Sequence, residues 1–121
     1  MELRIGTDVI EIERIGKAMR RFPRFVGRIL TPAELDAMAL RPDPIAFVAG
    51  RFAAKEATAK ALRGRFGWQD LEILSDGEGA PRVVLHGHAK AAYDGAEVAL
   101  SISHSRTIAT AVAIAAGRSR S

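Results

Sequence analysis

The 121-residue chain reads as an α+β fold, a small single domain (residues 1–121) in which an antiparallel sheet packs with a long helix. Three observations predict it. Apolar residues alternate with period two near both ends of the chain. Residues 45–62 contain no proline and seven alanines, which favours one long helix. Strands and helices do not alternate as regular βαβ units. With 48% apolar and 26% charged residues, the chain has the balance of a core-forming protein rather than a disordered one.

Leu3, Ile5, Thr7 and Val9 alternate with polar or small neighbours and mark a first strand. Ile12, Ile15 and Met19 then recur at helical spacing, and Pro23 ends that helix near Phe22. Thr31-Pro32-Ala33-Glu34 is a helix start: Thr31 can cap, Pro32 suits the first turn, and Glu34 can reach back in a capping box. Arg41-Pro42-Asp43-Pro44 breaks that short helix before the long one, which Gly64 and Gly67 close. Residues 71–74 read as a strand, Asp76-Gly77-Glu78-Gly79 as a turn, and residues 82–86 as the antiparallel partner. Residues 89–93 form a short helix stopped by Gly95. Val98, Leu100 and Ile102 alternate, as do Ile108, Thr110, Val112 and Ile114, with residues 103–107 as the connection of a hairpin.

The absence of cysteine excludes disulfide scaffolds, thiolate metal sites and cysteine nucleophiles together, and it fits a reducing compartment. The acidic N-terminal stretch (Glu2, Asp8, Glu11, Glu13) does not read as a signal peptide, and no run approaches the length of a membrane span. A soluble, cytoplasmic protein without a membrane partner is expected. Eighteen Lys+Arg against fourteen Asp+Glu give a net charge of +4, which suits an anionic partner. Fourteen of the eighteen cations are Arg; with 22 Ala in the same chain, that excess reflects composition more than phosphate recognition.

Asp8 is an acid among apolar strand residues where the strand gives way to a helix. It suits either a ligand of a hard cation or a cap of that helix. Glu56 and Lys60 are four apart and share a helical face, with Glu placed N-terminally as ion pairing prefers. They suit either metal binding and proton transfer or a plain surface pair. Asp8 and Glu56 are enough for Mg²⁺, which takes one or two carboxylates, keeps waters and fills its shell with substrate phosphates. They are too few for a calcium cage. His86 and His88 have no evident third ligand for zinc. His104, between Ser103 and Ser105, suits either phosphate binding or an ordinary turn. The chain has no acid between Arg14 and Arg28, and Arg14, Lys17 and Arg21 share one face with Met19, Phe22 and Phe25 nearby. That cluster fits an acidic helical partner, a nucleic acid, or simple solvation.

Taken in order, three segments resemble the holo-acyl-carrier-protein synthase family of 4'-phosphopantetheinyl transferases. They are residues 5–15 (Ile-Gly-Thr-Asp-Val-Ile-Glu-Ile-Glu-Arg-Ile), residues 50–57 (Gly-Arg-Phe-Ala-Ala-Lys-Glu-Ala) with Lys60-Ala61, and residues 100–105 (Leu-Ser-Ile-Ser-His-Ser) before an alanine-rich strand. Residues 28–35 resemble the family's connecting segment. The resemblance implies the 4'-phosphopantetheinyl transferase fold. It also implies transfer of phosphopantetheine from coenzyme A to a serine of apo acyl carrier protein, for fatty acid biosynthesis, leaving adenosine 3',5'-bisphosphate. By the same resemblance Asp8 and Glu56 hold Mg²⁺ against the coenzyme A pyrophosphate. Glu56, directly or through a metal-bound water, helps remove the serine proton, and Lys60 stabilises or protonates the departing phosphate. Ser103, His104 and Arg51 lie near the coenzyme A phosphates, and Pro81 helps wall the nucleotide pocket. Arg14, Met19, Arg21, Arg24 and Phe25 dock the acidic carrier protein. The assembly implied is a homotrimer with sites between subunits, and no nucleic acid partner is expected. One segment departs from the family: residues 62–67 are shorter than its Gly-Thr-Gly-like loop and lack the first glycine, so the coenzyme A contacts of that loop are not carried over. The alternative functions are a small basic α+β nucleic-acid-binding module and, behind it, an inactive scaffold of the same fold.

Overall fold

The computed structural model describes residues 2–117. In chain order its elements are β1 (Leu3–Glu11), α1 (Ile12–Arg21), α2 (Phe25–Ile29), α3 (Pro32–Ala39) and α4 (Pro44–Leu62). A 3₁₀ turn (Trp68–Asp70) follows, then β2 (Leu71–Ser75), β3 (Pro81–Leu85), α5 (Gly87–Tyr93), β4 (Glu97–His104) and β5 (Ile108–Ala116). The strands form two separate antiparallel units: a sheet ordered β1-β5-β4, and the β2-β3 hairpin.

The sheet and α4 pack through their smallest residues. Period-two alternation puts Ala109, Ala111, Ala113 and Ala115 of β5 on the inner face, all buried, and α4 answers with buried Ala53, Ala54, Ala57 and Ala61. Gly6 of β1 completes the contact. A Cβ built there would stand 2.1 Å from the carbonyl oxygen of Ala57 and 2.7 Å from the nitrogen of Ala61, so only glycine lets β1 approach α4 this closely. The approach sets how near Asp8, two residues on, comes to Lys60.

The outer face carries the large residues. Leu3, Ile5 and Val9 are each more than 60% exposed, and Ile108, Val112 and Ile114 about 40%. The register pairs Ile5 with Ile114 and Thr7 with Val112, which makes the patch continuous across two strands. The apolar alternation that marks β1 in the sequence therefore belongs to the solvent face, while the core face of β1 and β5 is carried by Gly6, Ile10 and the alanines of β5.

Thr31 begins α3 with the expected capping box: it accepts from Glu34 N, and Glu34 accepts from Thr31 N at 2.8 Å. Asp43 caps α4. The long helix ends at Arg63 in left-handed conformation, φ 59°, and not at a glycine. Two further elements, α2 and the 3₁₀ turn, have no signal in the sequence pattern.

Candidate active site

Asp8 lies well inside β1, which continues to Glu11, and the residue at the N-cap of α1 is Glu11 with no side-chain cap. The capping role open to Asp8 in the sequence is therefore absent. Its carboxylate sits on the inner face, 18% exposed, beside the C-terminal half of α4. Lys60 reaches across from that helix, donating to Thr7 O at 2.9 Å and standing 3.5 Å from Asp8 Oδ1. Glu56, one turn earlier, is half-buried, and Lys60 pairs with Asp8 instead of with it. The simple Glu56–Lys60 surface pair is therefore not formed. Lys60 and Asp8 thus meet at the β1-α4 junction, and Glu56 stands one helical turn before Lys60 on α4. Among the described residues no three His, Cys, Asp or Glu gather as a metal cage. Two carboxylates fit a hard cation that keeps water and substrate phosphate oxygens in its shell, as magnesium does.

Glu56 also borders a cavity of about 170 Å³ walled by Ala59, Phe66, Trp68 and Leu71. Phe66 comes from the loop after α4, where its ring lies 5.5 Å edge-on from that of Tyr93.

A second cluster surrounds the N-terminal half of α4. Arg51 and His104 line one cavity of about 280 Å³ with Arg41, Phe47, Gly50 and Ile102. Both guanidiniums stack on Phe47, Arg51 at 4.4 Å and Arg41 at 5.1 Å from the ring centre. Arg51 Nε is buried without a hydrogen-bond partner, a donor left for a ligand. Burial and the nearby Arg41 lower the Arg51 pKa, and Glu34 partly offsets them. Arg51 and Arg41 also face a second cavity, with Ser75 and Arg82. Pro81 pairs with Ser75 at that edge. Arg41 and Phe47 are site residues the sequence reading missed; the aromatic in the first turn after a Pro-Asp-Pro break was the only available signal.

The structure does not bring all the candidates together. Arg51 and Lys60 are nine residues apart on α4, which is about 13 Å along the helix axis. Ser103 and His104 are adjacent in β4 and so point to opposite faces: His104 shares the inner face with Ile102, and Ser103 the outer face with Ser101.

The basic cluster forms a continuous exposed edge. Arg14, Lys17, Arg20 and Arg21 of α1 are exposed, followed by Arg24 and Arg28 of the α2 segment. Phe22, Pro23, Arg24, Phe25 and Arg28 line an open cavity of about 470 Å³. Phe22 is 53% exposed, and Arg21 stacks on it at 5.4 Å. Met19 is half-buried against the core.

Under this edge lies a buried polar network. Lys55, adjacent to Glu56 and 1% exposed, donates to Ile29 O (2.5 Å), Glu34 Oε1 (2.7 Å) and Trp68 O (2.8 Å). Burial lowers the Lys55 pKa, and Glu34 opposes that shift. The second oxygen of Glu34 accepts from Ile73 N at 2.9 Å. Thr31 donates its hydroxyl to Glu72, whose other oxygen meets His86 Nε2 at 2.9 Å. His86 is thus engaged by an acid, away from His88.

Comparison with known proteins agrees with this architecture. The sequence profile of the 4'-phosphopantetheinyl transferase superfamily matches residues 4–113. A holo-[acyl-carrier-protein] synthase of Caldanaerobacter subterraneus subsp. tengcongensis is 45% identical over 124 residues, covering 97% of both chains. The crystal structure of holo-ACP-synthase from Plasmodium yoelii superposes with a TM-score of 0.84 at 32% identity, covering 97% of this chain and 98% of that one. That of a Bacillus anthracis holo-(acyl-carrier-protein) synthase, solved in complex with CoA (3',5'-ADP), gives 0.78 at 35%, covering 93% and 94%. By profile, sequence and fold, this chain belongs to the holo-[acyl-carrier-protein] synthase family of 4'-phosphopantetheinyl transferases.

Proposed function

We propose that this protein transfers the 4'-phosphopantetheine group of coenzyme A to a serine of an apo acyl carrier protein, releasing adenosine 3',5'-bisphosphate. The observation that carries the reading is the Asp8–Lys60 pair with Glu56 one turn away, inside the segment that matches the superfamily. Asp8 and Glu56 hold Mg²⁺. The ion they would hold would supply positive charge to the phosphoryl oxygens of coenzyme A. Glu56 accepts the serine hydroxyl proton as Oγ bonds to the phosphorus that carries pantetheine. The bond from that phosphorus to the bridging oxygen breaks, and Lys60 supplies positive charge to the phosphate that leaves. Arg51 and His104 bind the nucleotide phosphates of coenzyme A, with Arg41 beside them and Pro81 at the pocket edge.

The separation of the two clusters supports an assembly in which one coenzyme A bridges two chains. The exposed apolar face of β1 and β5 is the surface such an assembly would bury, and Ser103 stands on it. The homotrimer is therefore part of the proposal. The basic edge with its apolar cavity suits an acidic helical carrier, through Arg14, Arg21, Arg24 and Phe25, with Met19 supporting the surface from beneath. Among the described residues no helix is long and apolar enough to cross a membrane.

The reading is tested by following adenosine 3',5'-bisphosphate. Its release should require coenzyme A, apo carrier and Mg²⁺ together, and should stop with a chelator. Release without the carrier would indicate hydrolysis and contradict transfer.

A further inference from the structure

Lys55 takes no part in the chemistry above, yet it is the most fully enclosed cation among the described residues. An ammonium has three protons, and all three are used: on Ile29 O, Glu34 and Trp68 O. With the group 1% exposed, water cannot replace a lost acceptor. Each acceptor belongs to a different part of the fold. Ile29 is the last residue of α2, Glu34 lies in α3, and Trp68 opens the 3₁₀ turn. Gln69, next to Trp68, reaches the α2 region a second time, donating from Nε2 to Gly27 O at 2.8 Å and Leu30 O at 3.0 Å.

The short helix held in this way carries Phe25 and Arg28, two of the residues that line the apolar cavity of the basic edge. The residue that holds it is covalently adjacent to Glu56. We infer that Lys55 is a positioning residue: together with Gln69 it fixes α2 against α4, so that a carrier protein docked on α2 delivers its serine at one distance from Glu56. The inference rests on the docking role proposed for Phe25 and Arg24. None of the residues proposed to hold coenzyme A (Arg51, His104, Arg41 and Pro81) lies in α2, so the tie affects one substrate and spares the other. A shift of about 1 Å in the reacting serine can cost on the order of 100-fold in rate.

The test uses the full-length protein with Mg²⁺, coenzyme A and apo acyl carrier protein. It compares Gln69→Ala, Lys55→Met and Phe25→Ala for kcat, for KM of each substrate and for coenzyme A affinity by calorimetry. Gln69→Ala should raise the carrier KM about five-fold while coenzyme A affinity stays within about two-fold. Lys55→Met should show the same split with kcat lower by about 100-fold. If Lys55→Met does not fold, the exposed Gln69 variant decides alone. A raised carrier KM in Phe25→Ala but not in Gln69→Ala overturns the tie and leaves the docking surface standing. An unchanged carrier KM in both removes the surface and the tie together. A parallel loss of coenzyme A affinity in Gln69→Ala means general loosening of the fold and also overturns it.

Discussion

Lys55 and Lys60 sit five residues apart in the same alanine-rich helix and look alike in the sequence, but a helix turns about 100° per residue. One lysine ends in the core with three acceptors, the other at the surface beside Asp8. At this scale motif order singles out Asp8, Glu56 and Lys60, of which the structure brings Asp8 and Lys60 to 3.5 Å. It could not locate Glu34, because a glutamate in a capping box is normally a surface residue, whereas here it is fully buried and faces Lys55. Arg41 was likewise hidden, since only packing on Phe47 brings it to Arg51. Glu56→Gln should lower transfer by at least about 100-fold while circular dichroism and thermal midpoint stay unchanged, because among the described residues the carboxylate forms no hydrogen bond or ion pair that its amide would lose. Full activity in that variant would remove Glu56 from the mechanism.

Elements were legible where they carry their own local signals. Thr31 with Glu34, the proline break before α4 and the Asp76–Gly79 turn each name their structure. Five-residue α2 does not, since a helix so short is unstable alone and owes its order to tertiary hydrogen bonds. Strand facing was equally hidden: alternation shows that β1 is a strand but not that its glycine side faces α4. Gly6→Ala should therefore destabilise the fold by about 3 kcal/mol, measured by urea unfolding, because the obstruction is helix backbone that cannot rotate aside. Along α1, charge reversal at Arg14 and Arg21 should raise the carrier KM most at low ionic strength, with the difference shrinking as salt screens it. Carrier kinetics that ignore salt in the unmodified protein would speak against that edge. In the β2 network, burial raises the Glu72 pKa, but the hydrogen bonds from Thr31 and His86 and the charges of His86 and Lys55 outweigh it, leaving the value lowered. The folded pKa then lies below the unfolded one, so the unfolded chain binds more protons between them. Glu72 accordingly stabilises the protein above the usual glutamate range, and that contribution disappears as pH falls through the folded value. Unfolding measured from pH 6 down to pH 3 should show a shallower loss in Glu72→Gln than in the unmodified chain.

Strands β1 and β5 carry most of their large apolar residues on the outer face of the sheet, whereas β4 turns Val98, Leu100 and Ile102 inward. Gly6 and the β5 alanines face α4, while Leu3, Ile5, Val9, Val112 and Ile114 remain outside in a single chain. The proposed assembly would bury this apolar surface, and Ser103, on the same face, would then lie at the interface. Ile5→Glu with Ile114→Glu should convert the assembly to monomers by light scattering, and transfer should fall with it; an active monomer would separate the site from the interface. What most directly tests the account is the intact mass of an apo acyl carrier protein after incubation with this protein, coenzyme A and Mg²⁺. The account predicts a gain of one phosphopantetheine on the carrier, lost with a chelator and with Glu56→Gln. A folded, assembled protein that leaves several apo carriers unmodified would contradict it.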